Sequence, residues 1–530
     1  MKKLPLHLLI PILFIAFVIL AIPFGKLFEF DSDEGINIMK SLLYSEGFSL
    51  YKDIWSDQPP LFTFILSGWF KIWGESIFAA RSLVLLFSAL LVWCFYQILR
   101  RDLGIFSALA GVLILVNSHY YIQLSVSVMI GMPCIALGVL AVYFLAEARH
   151  SHRKRRFLIV ISGFVLALSL QIKLLTIFLI PLLCLQIADF NTNNFSRRLL
   201  NIYQWLLTIV VTYLSISLFF GSLTFKQLLQ PHLSARNTVE IFSNYHNLLP
   251  LLERMFGQDY LFYLLAMMGT IIILTTRNKS GLFPLAWLGS VCLLLANHHP
   301  VWYHHYLLIS LPLAWLAAYG VNSLEKLWQN LRQRSKHFYT KGLSVIYVPT
   351  ITKKRSISRT KLSPLIISIL VALLSLGSVA LESYRFWNKQ DYFQKRLMRT
   401  GHNDRQTVVN LILQHKEQTK WIFTDKPIYA FYGELKVPPE IAVLSLKRVL
   451  TGTITKEEML EIIKNYQPEQ ILLTKFRYTL RDHPPTKEYL ERHYVKVYDN
   501  NLIDVDYYLL KQLDEFKINK YSSSHIGEIH

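Results

Sequence analysis

Residues 28–60 read FEFDSDEGINIMKSLLYSEGFSLYKDIWSDQPP, a stretch with seven carboxylates that follows directly on an apolar run of membrane-spanning length. So much negative charge at an apolar boundary needs a cause, and the composition on either side narrows it. The chain of 530 residues is 53% hydrophobic and 17% charged, with a mean hydropathy of +0.33, which is too apolar for an ordinary soluble enzyme. A spanning helix takes about 20 mostly apolar residues, and about eleven windows meet that need. They fall near 5–24, 76–99, 104–122, 126–147, 157–172, 174–189, 203–221, 259–276, 281–297, 306–322 and 363–382. The first follows Lys2 and Lys3 but ends without a small-x-small cleavage site, so it reads as a retained anchor rather than a signal peptide.

A net charge of +20 would suit a nucleic-acid partner, but the positions of the charges argue against one. The runs RRD (100–102), HSHRKRR (150–156), SRR (196–198) and RNK (277–279), and the loop 325–361, lie between windows on one common side. By the positive-inside rule that side is the cytoplasm, and the bases serve topology and anionic head groups. The acidic loop 25–75, the loops 222–258 and 298–305, and everything after residue 383 then face the extracytoplasmic side. All four cysteines sit inside apolar windows as small core residues, and neither a disulfide framework nor a zinc motif follows from them.

Two regions differ in kind. Residues 1–383 form the polytopic α-helical membrane part, with the acidic first loop 25–75. Residues 384–530 alternate short apolar runs with helical patterns and form a soluble α/β domain. WIFTD (421–425), QILLTK (470–475), YVKVYD (494–499) and VDYYLLKQ (505–512) have strand composition. Thr455 and Glu458 form a capping box that opens an amphipathic helix.

Within the acidic loop, Ile36, Ile38, Met39, Leu42 and Leu43 recur at helical spacing, with Asn37, Lys40 and Ser41 on the other side. That is an amphipathic helix suited to the membrane interface. Asp31, Asp33 and Glu34 precede it and either cap its N-terminus or act as carboxylates whose basicity rises with partial desolvation.

The stretch DSDEGINIMKSLLYSEGFSLYKDIWSDQPPLFTFI resembles the first extracytoplasmic loop of the polyprenyl-phosphate-sugar-dependent glycosyltransferases, namely glycosyltransferase family 39, the protein O-mannosyltransferases and the lipid A aminoarabinose transferases. The resemblance lies in Asp33-Glu34, in Gly47 to Tyr51 with Asp53, and in Pro59-Pro60 before LFTFI. It implies a GT-C-like fold and an inverting transfer of a sugar from a polyprenyl-phosphate carrier to an acceptor hydroxyl on a glycolipid, glycan or protein. Asp33 matches the family's catalytic Asp and is expected as the base, with Glu34 orienting it or binding sugar. In the aminoarabinose transferases a Lys that helps hold the lipid phosphate precedes the Pro pair, where this chain has Gln58. Members of these families often carry an acidic residue just before the Met-Pro or Thr-Pro of the fourth helix, where this chain has Gly131 before Met132-Pro133, so no metal is assigned; the donor is the lipid-linked sugar, and no cofactor is called for by the sequence.

Such a transfer needs cations for the departing phosphate. Lys173, between two apolar windows, is expensive without an anionic partner, although it can also snorkel. Arg236, His304 and His305 are the other outward candidates. The His cluster 298–305 equally suits interface anchoring with Trp302, Tyr303 and Tyr306. Asp53 and Asp57 either bind sugar hydroxyls or tie the loop together, and Trp55 either stacks on a sugar or anchors the loop. The soluble domain is read as a lid, an acceptor-docking module or a structural cap. A membrane transporter and a catalytically inactive scaffold of the same fold are the rival classes.

Overall fold

The computed structural model describes residues 6–23, 25–190, 195–228, 230, 248–298, 301–323, 384, 395, 402–474, 480 and 483–512. The first part is a helical bundle: α1 (Leu6–Ala21), α2 (Asp33–Ser45), α3 (Leu61–Trp73), α4 (Ile77–Leu103), α5 (Ile105–Asn117), α6 (His119–Val126), α7 (Gly131–His150), α8 (Arg155–Leu170), α9 (Leu179–Ala188) and α10 (Phe195–Phe220). Helices Leu248–Thr276 and Leu282–Ala296 follow, then the apolar helical segment Tyr303–Ser323.

Among the described residues five helices are long and apolar enough to cross a membrane, or seven if two bent pairs count as single spans. The windows at 76–99, 126–147, 203–221, 281–297 and 306–322 are among the five, and 363–382 lies outside the described residues. The window 104–122 is broken at Ser118, where the helix axis turns by 79°. There the Ser118 hydroxyl donates to Tyr306 Oη at 2.5 Å, so a polar contact to a distant helix replaces a straight span. The two windows that meet at Lys173 form a tight hairpin: α8 ends at Leu170, and a 3-10 turn over Leu174–Phe178 leads into α9. Helix α3 lies inside the expected loop; its 13 residues are too few to span.

Basic ends gather on one face. Arg101 at the end of α4 pairs with Glu147 near the end of α7, and Arg149 pairs with Asp189 beyond α9 at 3.0 Å. At the opposite face, Leu61 N–H donates to Gln171 O at 3.1 Å, which joins the start of α3 to the α8–α9 hairpin.

All four expected strands form: β1 (Ile422–Thr424), β2 (Gln470–Leu473), β3 (Tyr494–Asn500) and β4 (Val505–Leu510), in the order β1-β2-β4-β3. β1 and β2 are parallel, and the other neighbours are antiparallel. Every residue of β1 and β2 is buried, as expected of unbroken apolar runs covered on both faces. The capping box is present, with Thr455 Oγ1 accepting from Glu458 N–H at 3.1 Å and Glu458 Oε2 from Thr455 N–H at 2.8 Å.

This α/β unit is seated on the acidic loop. Phe28 stacks on Tyr432 at 4.9 Å between ring centroids, and its carbonyl accepts from Tyr432 Oη at 2.8 Å. Glu29 pairs with Lys426 and Arg405, Glu46 with Lys436 at 2.9 Å, and Asp57 with Lys447. The helix expected to lie in the interface, α2, is therefore covered, polar side included. Asn37 donates to Val128 O at 2.9 Å, Ser41 donates to Asn37 O at 2.8 Å, and Lys40 is buried.

Gly35 sits where α2 meets the helix Pro427–Tyr432, and a Cβ there would lie 2.5 Å from Ile428 N. Backbone cannot yield as a flexible side chain does, and overpacking of this sort costs about 1–3 kcal/mol. Gly35→Ala is expected to lower the melting temperature and to speed tryptic release of the C-terminal unit. Unchanged proteolysis would show that this contact does not seat the domain.

Candidate active site

The three acids that open α2 have different surroundings. Asp31 stands just before Ser32, the N-cap of α2; its Oδ1 accepts from Asp33 N–H at 2.8 Å, and its Oδ2 accepts from Tyr303 Oη. Burial raises the Asp31 carboxyl above its ordinary range, against the lowering effect of those two hydrogen bonds.

Glu34 is wholly buried in a two-pronged ion pair with Arg81 of α4, Nε to Oε1 at 3.1 Å and Nη2 to Oε2 at 2.9 Å. It also accepts from Phe30 N–H at 2.7 Å and Val128 N–H at 2.9 Å. Its oxygens are thus occupied by protein donors. The orienting role expected of Glu34 has a geometry, whereas the sugar contact does not. Arg81 donates further to Leu27 O at 2.8 Å and lies 4.6 Å from the Phe30 ring centroid, so the pair fixes the exit from α1, the start of α2 and the approach to α7 together.

Asp33, one residue earlier, is half-buried. Successive helical residues project about 100° apart, so it faces a different environment from Glu34. Its charge reaches Lys40 and Lys173. Burial lowers the Lys40 ammonium to about 8, while Asp57 and Asp33 pull it back up. Its Nζ is 3.5 Å from Ser56 Oγ. Lys173 is half-buried in the α8–α9 turn, where desolvation lowers its pKa and Cys134, Asp33 and Asp57 oppose that shift.

Lys173 is also within electrostatic reach of His304 and His305. The rings of His304 and His305 are 4.6 Å apart, and His305 Nδ1 accepts from Trp302 N–H at 3.1 Å. Asp33, Lys173, and the neighbours His304 and His305 are therefore drawn to one end of the bundle from three separate places in the chain. Arg236 lies outside the described residues. Among the described residues no three His, Cys, Asp or Glu side chains converge as metal ligands would.

Asp53 ties the loop, accepting from Ser49 N–H at 2.8 Å. Tyr51, at φ +68, donates its hydroxyl to Gln58 O at 2.8 Å. Asp57 pairs with Lys447 of the C-terminal unit. The Trp55 ring carries the Arg448 guanidinium at 4.5 Å and lines a cavity of about 350 Å³ with Lys226, Gln227, Gln230 and the turn Thr451–Thr453. Sequence reasoning missed Arg81, Lys40, Tyr303 as the Asp31 partner, and Lys447. Arg81 carried a signal, since an arginine inside an apolar window requires an anion.

This bundle, with its acidic first loop under a C-terminal α/β unit, has the fold of the GT-C glycosyltransferases that use polyprenyl-phosphate carriers. Residues 57–220 match the family model for dolichyl-phosphate-mannose-protein mannosyltransferases. The chain is similar to ArnT from Cupriavidus metallidurans, solved bound to undecaprenyl phosphate, with a TM-score of 0.61 and 14% identity over 94% of this chain and 97% of that one. It is also similar to the oligosaccharyltransferase AglB from Archaeoglobus fulgidus, solved with an inhibitory peptide and a dolichol-phosphate, with a TM-score of 0.52 and 10% identity over 94% of this chain and 74% of that one. The search of curated proteins returns no match. The resemblance drawn from the first loop is thus borne out by the fold and by the family model, although that match begins only at Asp57, after the Asp33-Glu34 pair.

Proposed function

We propose that the chain is an inverting glycosyltransferase that moves a sugar from a polyprenyl-phosphate carrier to an acceptor hydroxyl at the extracytoplasmic face of the cell membrane. The observation that carries this reading is that the charge of Asp33 reaches Lys40 and Lys173 at the end of an apolar bundle, on the face opposite the basic helix ends. Relatives in fold were solved with undecaprenyl phosphate and dolichol-phosphate, which supports a lipid phosphate as part of the donor.

In the proposed step, Asp33 takes the proton of the acceptor hydroxyl while that oxygen forms a bond to the anomeric carbon. The bond from the anomeric carbon to the phosphate oxygen breaks, and its electron pair leaves with the polyprenyl phosphate. Lys173, with His304 and His305 within its electrostatic reach, and Lys40 would meet the charge that develops on that oxygen. Glu34 and Arg81 hold α2 so that Asp33 stays in register. Asp31, already gripped by Tyr303, belongs to the frame.

Protein in liposomes supplied with a panel of polyprenyl-phosphate sugars is expected to release polyprenyl phosphate from at least one, with the product anomer opposite to the donor's. Retained configuration, or no turnover of any such donor in the presence of envelope extract, contradicts the reading. The pH dependence follows from Lys40, a cation that loses its charge as pH rises through about 8. The donor KM is therefore expected to rise above about pH 8, and Lys40→Arg is expected to move that limb to higher pH. A KM flat from pH 7 to about 10 would remove Lys40 from the phosphate's surroundings.

A further inference from the structure

The C-terminal unit sends one ammonium group into the membrane module's charge cluster. Lys447, on the short helix Leu446–Leu450, pairs with Asp57 of the first loop. The pair is largely enclosed, with the Lys447 side chain 16% and the Asp57 side chain 12% exposed. Lys447 is also close enough to Lys173 for the two charges to oppose each other. Lys40, Lys173 and Arg448 lie within reach of the same Asp57 carboxylate. Among the described residues three ammonium groups from three separate segments, Lys40, Lys173 and Lys447, thus face two carboxylates, Asp57 and Asp33, while Arg448 is also drawn to Glu458 and Glu440. An enclosed surplus of positive charge of this kind favours a further anion.

We infer that Lys447 is a binding residue for the carrier's phosphate, with Asp57 as its resting partner, so that the C-terminal unit completes the donor site instead of only covering it. This rests on the glycosyltransferase reading above. A phosphodiester carries one negative charge, and the departing phosphomonoester carries close to two. The demand for an added cation therefore grows as the sugar leaves. Lys173 and Lys40 belong to the membrane module and Lys447 to the C-terminal unit. The phosphate would bind between them and share or displace Asp57.

The test is binding of a polyprenyl monophosphate to the full-length protein in nanodiscs, with phosphatidic acid as a second, non-isoprenoid phosphate. The wild type is expected to bind the polyprenyl phosphate and to discriminate against phosphatidic acid. Lys447→Met should weaken binding at least ~10-fold, the order of one lost charge-assisted hydrogen bond, while Lys447→Arg stays near wild type. Asp57→Asn, which keeps the lysine and removes its competitor, should bind at least as tightly as wild type. The double variant Lys447→Met with Asp57→Asn should stay weak.

Recovery of binding in the double variant would reduce Lys447 to a neutraliser of Asp57 and overturn the inference. So would wild-type affinity in Lys447→Met, or equal binding of phosphatidic acid. Failure of the wild type itself to bind polyprenyl phosphate would instead remove the donor reading beneath it, and the two failures are distinguishable.

Discussion

Asp33→Asn is expected to lower sugar transfer by roughly 10²- to 10⁴-fold, the range for loss of a positioned general base, and to leave the melting temperature near that of the wild type. The substitution keeps the shape of the side chain and removes only its capacity to take a proton. The framework does not depend on that capacity: Asp31 accepts from the backbone N–H at the start of α2, and Glu34 carries the buried ion pair. Rates and unfolding curves measured on the same preparation separate the outcomes. Normal folding with full activity would assign the base elsewhere, and loss of folding would make Asp33 a structural acid.

The second large effect is on stability. Glu34 and Arg81 are both inaccessible to solvent, so removing either partner strands a buried charge, at a cost of about 3–5 kcal/mol. Arg81→Met is expected to produce a marked fall in melting temperature, with transfer lost as the start of α2 loosens. Glu34→Gln should do the same by a smaller margin, because the amide oxygen can still accept from one of the two backbone donors, Phe30 N–H or Val128 N–H, that the carboxylate takes on separate oxygens. Joining the changes as Glu34→Gln with Arg81→Met should recover part of the stability, since no charge is then stranded. A melting temperature unmoved by Arg81→Met would contradict the role given to the pair.

The contrast between Asp33 and Glu34 also indicates what the sequence could and could not reveal. An acidic cluster at the end of an apolar run is conspicuous, and its resemblance to known first loops pointed to the right fold. The strands and the Thr455 capping box were readable because they depend on neighbours within a few residues. The division of labour within the acidic loop was not readable, because it is decided by partners far along the chain: Arg81 for Glu34, Tyr303 for Asp31, Lys447 for Asp57.

Three of the seven carboxylates, Glu29, Glu46 and Asp57, pair with the C-terminal unit. Much of the loop's negative charge is therefore a docking surface, and only part of it remains for chemistry. Lys40 was placed on a polar helix face because periodicity records polarity, whereas the closure of a second unit over that face is a tertiary event. Helix α3 was hidden by its length, which suits neither a span nor a polar loop.

The proposed role of Asp33 is to serve the transfer of a sugar from a polyprenyl phosphate. Its most direct test is mass spectrometry of envelope lipids from cells carrying the wild type, Asp33→Asn, or no copy of the protein. One glycosylated envelope species is expected to disappear in the last two while a polyprenyl-phosphate sugar of the same mass increment accumulates. Identical glycan and polyprenyl-phosphate-sugar profiles in all three would contradict it.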